Sequence, residues 1–412
     1  MKHDLIVVGA GLAGLFAANL AADLGLNVHV ISKGRGGLSL SHGCIDLYRT
    51  SHPSRSLRSL PSRHPYKIVP YKSIQASIST FRSMLRDIGM VYHGGISSSI
   101  PLLSALGSPF RTSLVPGSMI KGRLDDPRPL SIAGLSSYRD FWATHVGLVA
   151  RRNGFKVRSV LDLPLLPSEH HRDLYATDIA ALLDDQVYRQ ELWRTWKPKL
   201  TGIKRIGVPA VIGLNFVVEI LTEAKDQLGI EIFEIATLPP SLPGLRLENA
   251  LKRRCLGLGV EFTEGSLAIG RIDGRSKGKR ASGIQLDTVG RPRTLESEFV
   301  ILATGGYLHG GLQALQEGII IESVFGIPID EATPREAWTT KHPWEPQAYS
   351  LIGLSTDKFL RPLDHKGKPF LENVFAVGGL LAGADRSHEG SRQGIDLASS
   401  YQAIQSIRTL NG

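Results

Sequence analysis

Apolar residues in this chain are grouped into short blocks separated by glycine and proline. The first block, Asp4-Leu5-Ile6-Val7-Val8, is an uninterrupted run of aliphatic residues after one acid and predicts a buried strand. Leu15 to Leu24 is rich in Ala and Leu and predicts a helix; Asn27-Val28-His29-Val30-Ile31 predicts a second strand after a turn at Gly25. Between the first strand and the helix lies Gly9-Ala10-Gly11-Leu12-Ala13-Gly14. Strand, G-x-G-x-x-G, helix, strand is the context of a dinucleotide-binding βαβ unit. In that unit Gly9 makes the tight turn, Gly11 lets backbone approach a phosphate, and Gly14 lets the helix lie close to the sheet. The pyrophosphate is expected at the helix N-terminus, where free N–H groups point outward. Leu5 to Ala22 is apolar enough to raise a signal peptide or membrane helix, but three glycines in six residues, Asn19 and the following strand argue against both.

Further along, the pattern turns helical over Ile74–Ile88, Tyr138–Asn153 and Phe216–Leu228, with a proline-rich loop at Leu238–Gly244. Arg246 to Leu258 predicts a helix with Leu247, Ala250, Leu251 and Leu258 on its apolar side. A meander follows: Val260–Phe262, Ser266–Ile272, a charged tip at Asp273–Gly278, Gly283–Thr288 and a turn at Gly290. It feeds a strand, Glu298 to Leu302, that breaks at Ala303-Thr304-Gly305-Gly306. Another strand, Asn373 to Ala376, breaks at Val377-Gly378-Gly379, and a closing helix is expected over Gly394–Arg408. The expected fold class is therefore α/β: a Rossmann-like flavin-binding domain in discontinuous parts, 1–50, 246–310 and 373–412, with an inserted α+β cap or substrate domain over 51–245. Residues 311–372 are a cap or connecting segment.

Composition narrows the partners. With 48 Lys and Arg against 38 Asp and Glu in 412 residues, the net charge is +10, which favours anionic partners. Leu47 to Arg86 contains no acid but Arg49, Arg55, Arg58, Arg63, Lys67, Lys72, Arg82 and Arg86. That run lacks the interleaved aromatics of a nucleic-acid platform, and reads as a solvated face or a docking surface. The two cysteines, Cys44 and Cys255, fit a reducing cytoplasm and cannot supply an iron–sulfur cluster. No metal constellation is evident; His170-His171 is an adjacent pair without ligand spacing.

Taken in order, these segments resemble the flavoproteins related to succinate dehydrogenase and fumarate reductase. More closely, the chain is similar to the family of B-type subunits of anaerobic glycerol-3-phosphate dehydrogenase, over nearly its whole length. The residues that carry this are Gly9–Leu15, Gly43-Cys44-Ile45-Asp46-Leu47, Arg205–Leu214, Thr237–Ser241 with Pro243–Leu247, Ala303–Gly306 and Glu372–Gly379. The Pro-Pro-Ser…Pro-Gly-Leu-Arg segment is the most specific of them. The resemblance implies a flavin subunit of a complex oxidising sn-glycerol 3-phosphate to dihydroxyacetone phosphate. Its implied partners are a second flavin subunit and a membrane-associated iron–sulfur subunit that passes electrons to quinone. The implied location is cytoplasmic, peripheral on the inner face of the membrane through a partner.

FAD is the expected cofactor, with FMN, associated with this subunit in the family, as the alternative. The histidine arrangement of covalent flavoproteins is not matched around His42, so the flavin is expected to be non-covalent. Expected cofactor contacts are Gly9, Gly11, Gly14, Ser32, Lys33, Ser41, Gly43, Thr304, Gly305, Gly378, Gly379, Asp385 and Gly394. Ser32 stands where many dinucleotide folds place a ribose-binding acid, and it lacks the charge. The oxidation needs a phosphate clamp and a base; Arg386, Arg392 and His388, between the last glycine strand and the closing helix, are the first candidates. Arg246 and His309 are weaker ones. Two other readings stay open: a fumarate-reductase-like dehydrogenase acting on a carboxylate, and a non-catalytic electron-relay or scaffold subunit.

Overall fold

The computed structural model describes residues 2–166, 173–274, 279–287, 291–316, 318–329 and 334–411. The pair His170-His171, most of the predicted tip after Asp273 and the turn at Gly290 lie outside the described residues. The chain divides into two units. One comprises Met1–Gly37, Asp46–Ile88 and Ala250–Gly412; the other comprises Leu38–Ile45 and Gly89–Asn249.

The first unit is built on a seven-stranded sheet. In chain order its main elements are β1 (Lys2–Val8), α1 (Leu12–Asp23), β2 (Val28–Ser32), α2 (Tyr71–Asp87), α3 (Leu242–Gly257, entering from the other unit), β3 (Glu261–Glu264), β4 (Leu267–Asp273), β5 (Arg280–Asp287), β6 (Arg293–Leu302), β7 (Val374–Ala376) and α4 (Arg392–Asn411). The strand order is β3-β2-β1-β6-β5-β4, with β7 also paired to β6. Strands β3, β2, β1, β6 and β7 are mutually parallel; β5 adds antiparallel to β6, and β4 antiparallel to β5. Leu5, Ile6 and Val7 are fully buried, as expected of a central parallel strand covered on both faces. Helix α1 buries ten of its twelve residues and packs against α4. The buried Asn19 is satisfied within this packing. Its amide donates to the Leu15 and Leu251 carbonyls at 2.8 and 3.1 Å, and its Oδ1 accepts from Arg254 at 3.1 Å.

The boundaries differ from the expected 51–245 insertion. Residues 46–88 belong to the first unit because the amphipathic α2 buries Ile74, Ile78, Phe81 and Leu85 and packs on α4, with Phe81 edge-on to Phe16 at 5.6 Å. Residues 38–45, expected in the first flavin part, fall in the second unit, where Ile45 bridges to Leu114. The expected connecting segment 311–372 groups with the first unit and carries a small antiparallel sheet, Leu312–Ala314, Ile320–Glu322 and Pro328–Ile329.

The second unit has a four-stranded, wholly parallel sheet, ordered Glu231–Ile235, Arg205–Pro209, Leu130–Leu135, Val157–Leu163, together with two antiparallel strand pairs. Its main sheet is thus parallel α/β, where an α+β insertion was expected. Leu130–Leu135 and Arg205–Pro209 are buried at every position, so they show no alternation from which strands could be read. Trp193, Trp196, Ile206, Val208 and Ile220 lie at the centre of its core.

Candidate functional site

Three glycine-rich turns converge at the C-terminal ends of β1, β6 and β7. Gly9 leaves β1 with φ +118°, a conformation that suits glycine alone, and a side chain there would run into the Ala303 carbonyl at the end of β6. A side chain on Gly14 would run into the Gly9 carbonyl, so both flanking glycines serve packing. Gly11 differs. It is the N-cap of α1, without a side-chain cap, and nothing lies within 4 Å of where its Cβ would be. The space beside Gly11 is therefore open, at a helix N-terminus, where the first N–H groups have no intrahelical partner. Gly306 and Gly379 lie against each other, and Gly378 lies against Ala13 and Asp396. The Gly378 amide donates to Ser399 Oγ at 2.9 Å, and Ser400 Oγ donates to the Ala13 carbonyl at 2.8 Å, fixing α4 to both turns.

Around these turns several buried polar atoms have no hydrogen-bond partner among the described residues: Ser32 Oγ at the end of β2, Thr304 Oγ1 after β6, Arg386 Nε, and Gln393 Oε1 at the start of α4. Such atoms await a ligand or water. Lys33 follows Ser32 and is exposed.

The loop 385–392 is tied down from an unexpected quarter. Buried His64 receives the Tyr66 amide proton on Nδ1 (3.1 Å), so its own proton sits on Nε2, 2.9 Å from Glu389 Oε1. Ser391 Oγ donates to the same oxygen at 2.5 Å, and the Arg49 amide donates to the Glu389 carbonyl at 2.7 Å. Within the loop, Arg386 is held by Asp396 and donates to the Arg392 carbonyl. Burial pushes the Asp396 carboxyl above the ordinary range, against the pull of Arg386. Asp396 is a site residue that sequence reasoning missed; a single acid near the start of the closing helix was its only signal. His388 is exposed, and among the described residues no side chain orients its ring. Arg392 bonds to the Ser387 hydroxyl rather than to a carboxylate. Asp385 Oδ1 accepts from the His388 amide at 3.2 Å, a local turn contact.

Three expected contacts have other work in the fold. Gly394 lacks a side chain because Leu47 and Tyr66 occupy that space, and its amide donates to the Asp46 carbonyl at 2.9 Å. Ser41 and Gly43 belong to the second unit. Ser41 Oγ donates to the Leu38 carbonyl at 2.8 Å, and Gly43 lies against Pro243, so the Gly-Cys-Ile-Asp and Pro-Pro-Ser segments pack together. Arg246 is not an anion site. Its guanidinium meets both Glu234 oxygens at 2.7 and 2.9 Å and the Gly213 and Ile212 carbonyls, all buried. His309 is better placed than the sequence suggested: its ring lies against Gly37 and Gly305, beside the converging turns.

Comparison with known proteins decides what this cradle holds. The profile of the family described as FAD binding domain matches residues 4–394. The chain belongs to this FAD-binding family. Its flavin is FAD, and the cradle fits it: free space at the N-terminus of α1, flanking glycines that bring three turns together, and orphaned hydroxyls at Ser32 and Thr304. The resemblance read from the sequence is borne out as well. The chain is 28% identical to the B-type subunit of anaerobic glycerol-3-phosphate dehydrogenase from Pectobacterium atrosepticum, over 99% of each chain. It is 28% identical to the protein of the same name from Yersinia pestis, over 99% of this chain and 98% of that one. Among solved structures, a 3-ketosteroid Δ1-dehydrogenase from Sterolibacterium denitrificans aligns at 12% identity and a TM-score of 0.48, over 99% of this chain and all of that one.

Proposed function

We propose that this FAD-binding chain is a subunit of an anaerobic glycerol-3-phosphate dehydrogenase, in a complex that oxidises sn-glycerol 3-phosphate to dihydroxyacetone phosphate. The observation that carries the reading is end-to-end similarity to proteins of that name. Bound FAD supplies the two-electron acceptor for the carbinol hydride. The chain's own residues supply the rest. The first turn of α1 binds the pyrophosphate, and Ser32 and Thr304 offer hydroxyls to the cofactor. Arg392, without a carboxylate partner among the described residues, clamps the substrate phosphate, while Arg386 is neutralised by Asp396 and orients the loop. His388 is the first candidate to take the hydroxyl proton, and His309, against the glycine turns, is the second.

Both cysteines are buried and only two exist, so onward transfer requires another chain with the iron–sulfur centres, then quinone. A second flavin subunit completes the complex. Among the described residues no helix is long and apolar enough to cross a membrane, which suits attachment to the inner face through a partner.

The direct test is anaerobic titration of the purified complex while its flavin absorbance is followed. Sn-glycerol 3-phosphate is expected to bleach it and succinate to leave it oxidised. The reverse would favour a fumarate-reductase-like enzyme. A second reading, flavin relay without substrate chemistry, is favoured by the engagement of Arg386 with Asp396 and the exposure of His388. Under it, Arg392→Ala, His388→Ala and His309→Ala would each leave turnover intact, while loss of the flavin would abolish it.

A further inference from the structure

Far from the glycine turns, at the opening ends of the parallel strands, two histidines and a glutamate come together. We propose that His3, His29 and Glu261 form a binding site for a divalent metal ion of the Zn2+ class. His3 lies at the start of β1, six residues before Gly9, so about 20 Å of strand separates this cluster from the cofactor turn. His29 is on β2, and Glu261, on β3, is its register partner. The two imidazoles are 4% and 2% exposed, with ring centroids 4.9 Å apart at 73°.

Each ring is oriented by its other nitrogen. His3 Nδ1 lies 3.3 Å from Asn27 Oδ1, an acceptor, so it carries the proton and leaves the Nε2 lone pair free. His29 Nε2 lies 2.8 Å from Thr263 Oγ1. When it donates there, the Nδ1 lone pair is free. That buried Nδ1 makes no hydrogen bond, although Glu261 Oε2 is only 3.4 Å away. In that tautomer a lone pair faces a carboxylate oxygen, an arrangement that a bound cation between them would satisfy.

One ligand atom from each residue lies within 4.8 Å of the others. Tetrahedral Zn2+ sites, with bonds of about 2.0–2.1 Å, have ligand-to-ligand edges of roughly 3.4 Å. The His29–Glu261 edge already has that length. Two imidazoles and one carboxylate suit Zn2+, with water in the fourth position, and orientation of ligating rings by further hydrogen bonds is the usual support of such sites. The Glu261 side chain is 53% exposed, which gives the ion a way in. The bound ion would clip β3 to the start of β1 and β2. These residues, 232 positions apart between His29 and Glu261, carry no sequence spacing by which the site could be found.

The test uses the flavin-loaded full chain, stripped with chelator and titrated with Zn2+ by calorimetry, then with Co2+ for the visible bands of a four-coordinate site. One ion per chain is expected. Glu261→Gln and His29→Gln should each weaken binding at least about tenfold with flavin content unchanged. Glu261 is a surface side chain, so its variant tests the site even if a histidine variant fails to fold. No uptake at micromolar Zn2+ overturns the proposal; so does uptake that Glu261→Gln leaves unchanged, which would assign the ion to surface histidines. In either case Nδ1–H of His29 shares its proton with Glu261 and no metal is needed.

Discussion

Gly11 and Gly14 stand three residues apart in one motif, yet the structure gives them opposite tolerances. At Gly11, with φ −77° and empty space around its missing Cβ, Gly11→Val is expected to leave the fold standing and to remove the flavin by filling the pyrophosphate's place. Circular dichroism and flavin absorbance per chain check this; a folded variant with full flavin content would contradict it. A second residue-scale expectation concerns Glu322, which is fully buried. Its carboxylate accepts the Val324 and Phe325 amides at 2.7 and 2.8 Å, and burial nonetheless raises its pKa from 4.5 to about 7. The folded state therefore binds the proton more tightly than the unfolded state. The stability this contributes is complete below pH 4.5 and is lost as pH rises through about 7. The difference is about 3 kcal/mol. Denaturant unfolding of wild type and Glu322→Gln at pH 5 and pH 8 measures it: wild type should lose stability across that interval, and the variant should lack that loss.

Elements near the chain start were legible because their signals are local. A valine-rich run, three spaced glycines and an alanine-rich helix specify β1, the turn and α1 without knowledge of the rest. The helix α2 was legible as a helix, but not as part of the flavin-binding unit, because its partner α4 lies some three hundred residues later in sequence. The second unit's parallel strands were missed for another reason: fully buried short strands carry no period. The same non-locality hid the support of the catalytic-candidate loop. His64 sits in a run that reads as a basic surface loop, yet it is buried and fixes Glu389. His64→Phe, which keeps the bulk and removes the donor, is expected to speed amide hydrogen exchange across Ser387–Ser391 and to raise the KM for the phosphorylated substrate. Unchanged exchange in that segment would show that the loop is held by Arg49 and Arg386 alone.

At the scale of the molecule, the sequence showed which segments meet but not what each glycine does there. Residues 9–14, 303–306 and 377–379 converge as expected, whereas Gly394, Ser41, Gly43 and Arg246 serve packing or a buried ion pair. These are polar or small residues near a motif, and only the fold separates those that face a ligand from those that face their own chain. The central claim is that the converging turns of the first unit hold FAD without a covalent bond. Heat denaturation of the purified chain, followed by separation of protein from supernatant and chromatography of the released flavin, tests it most directly. The account predicts FAD in the supernatant, close to one per chain, and a colourless protein pellet. FMN alone, or a flavin that stays with the denatured chain, would contradict it.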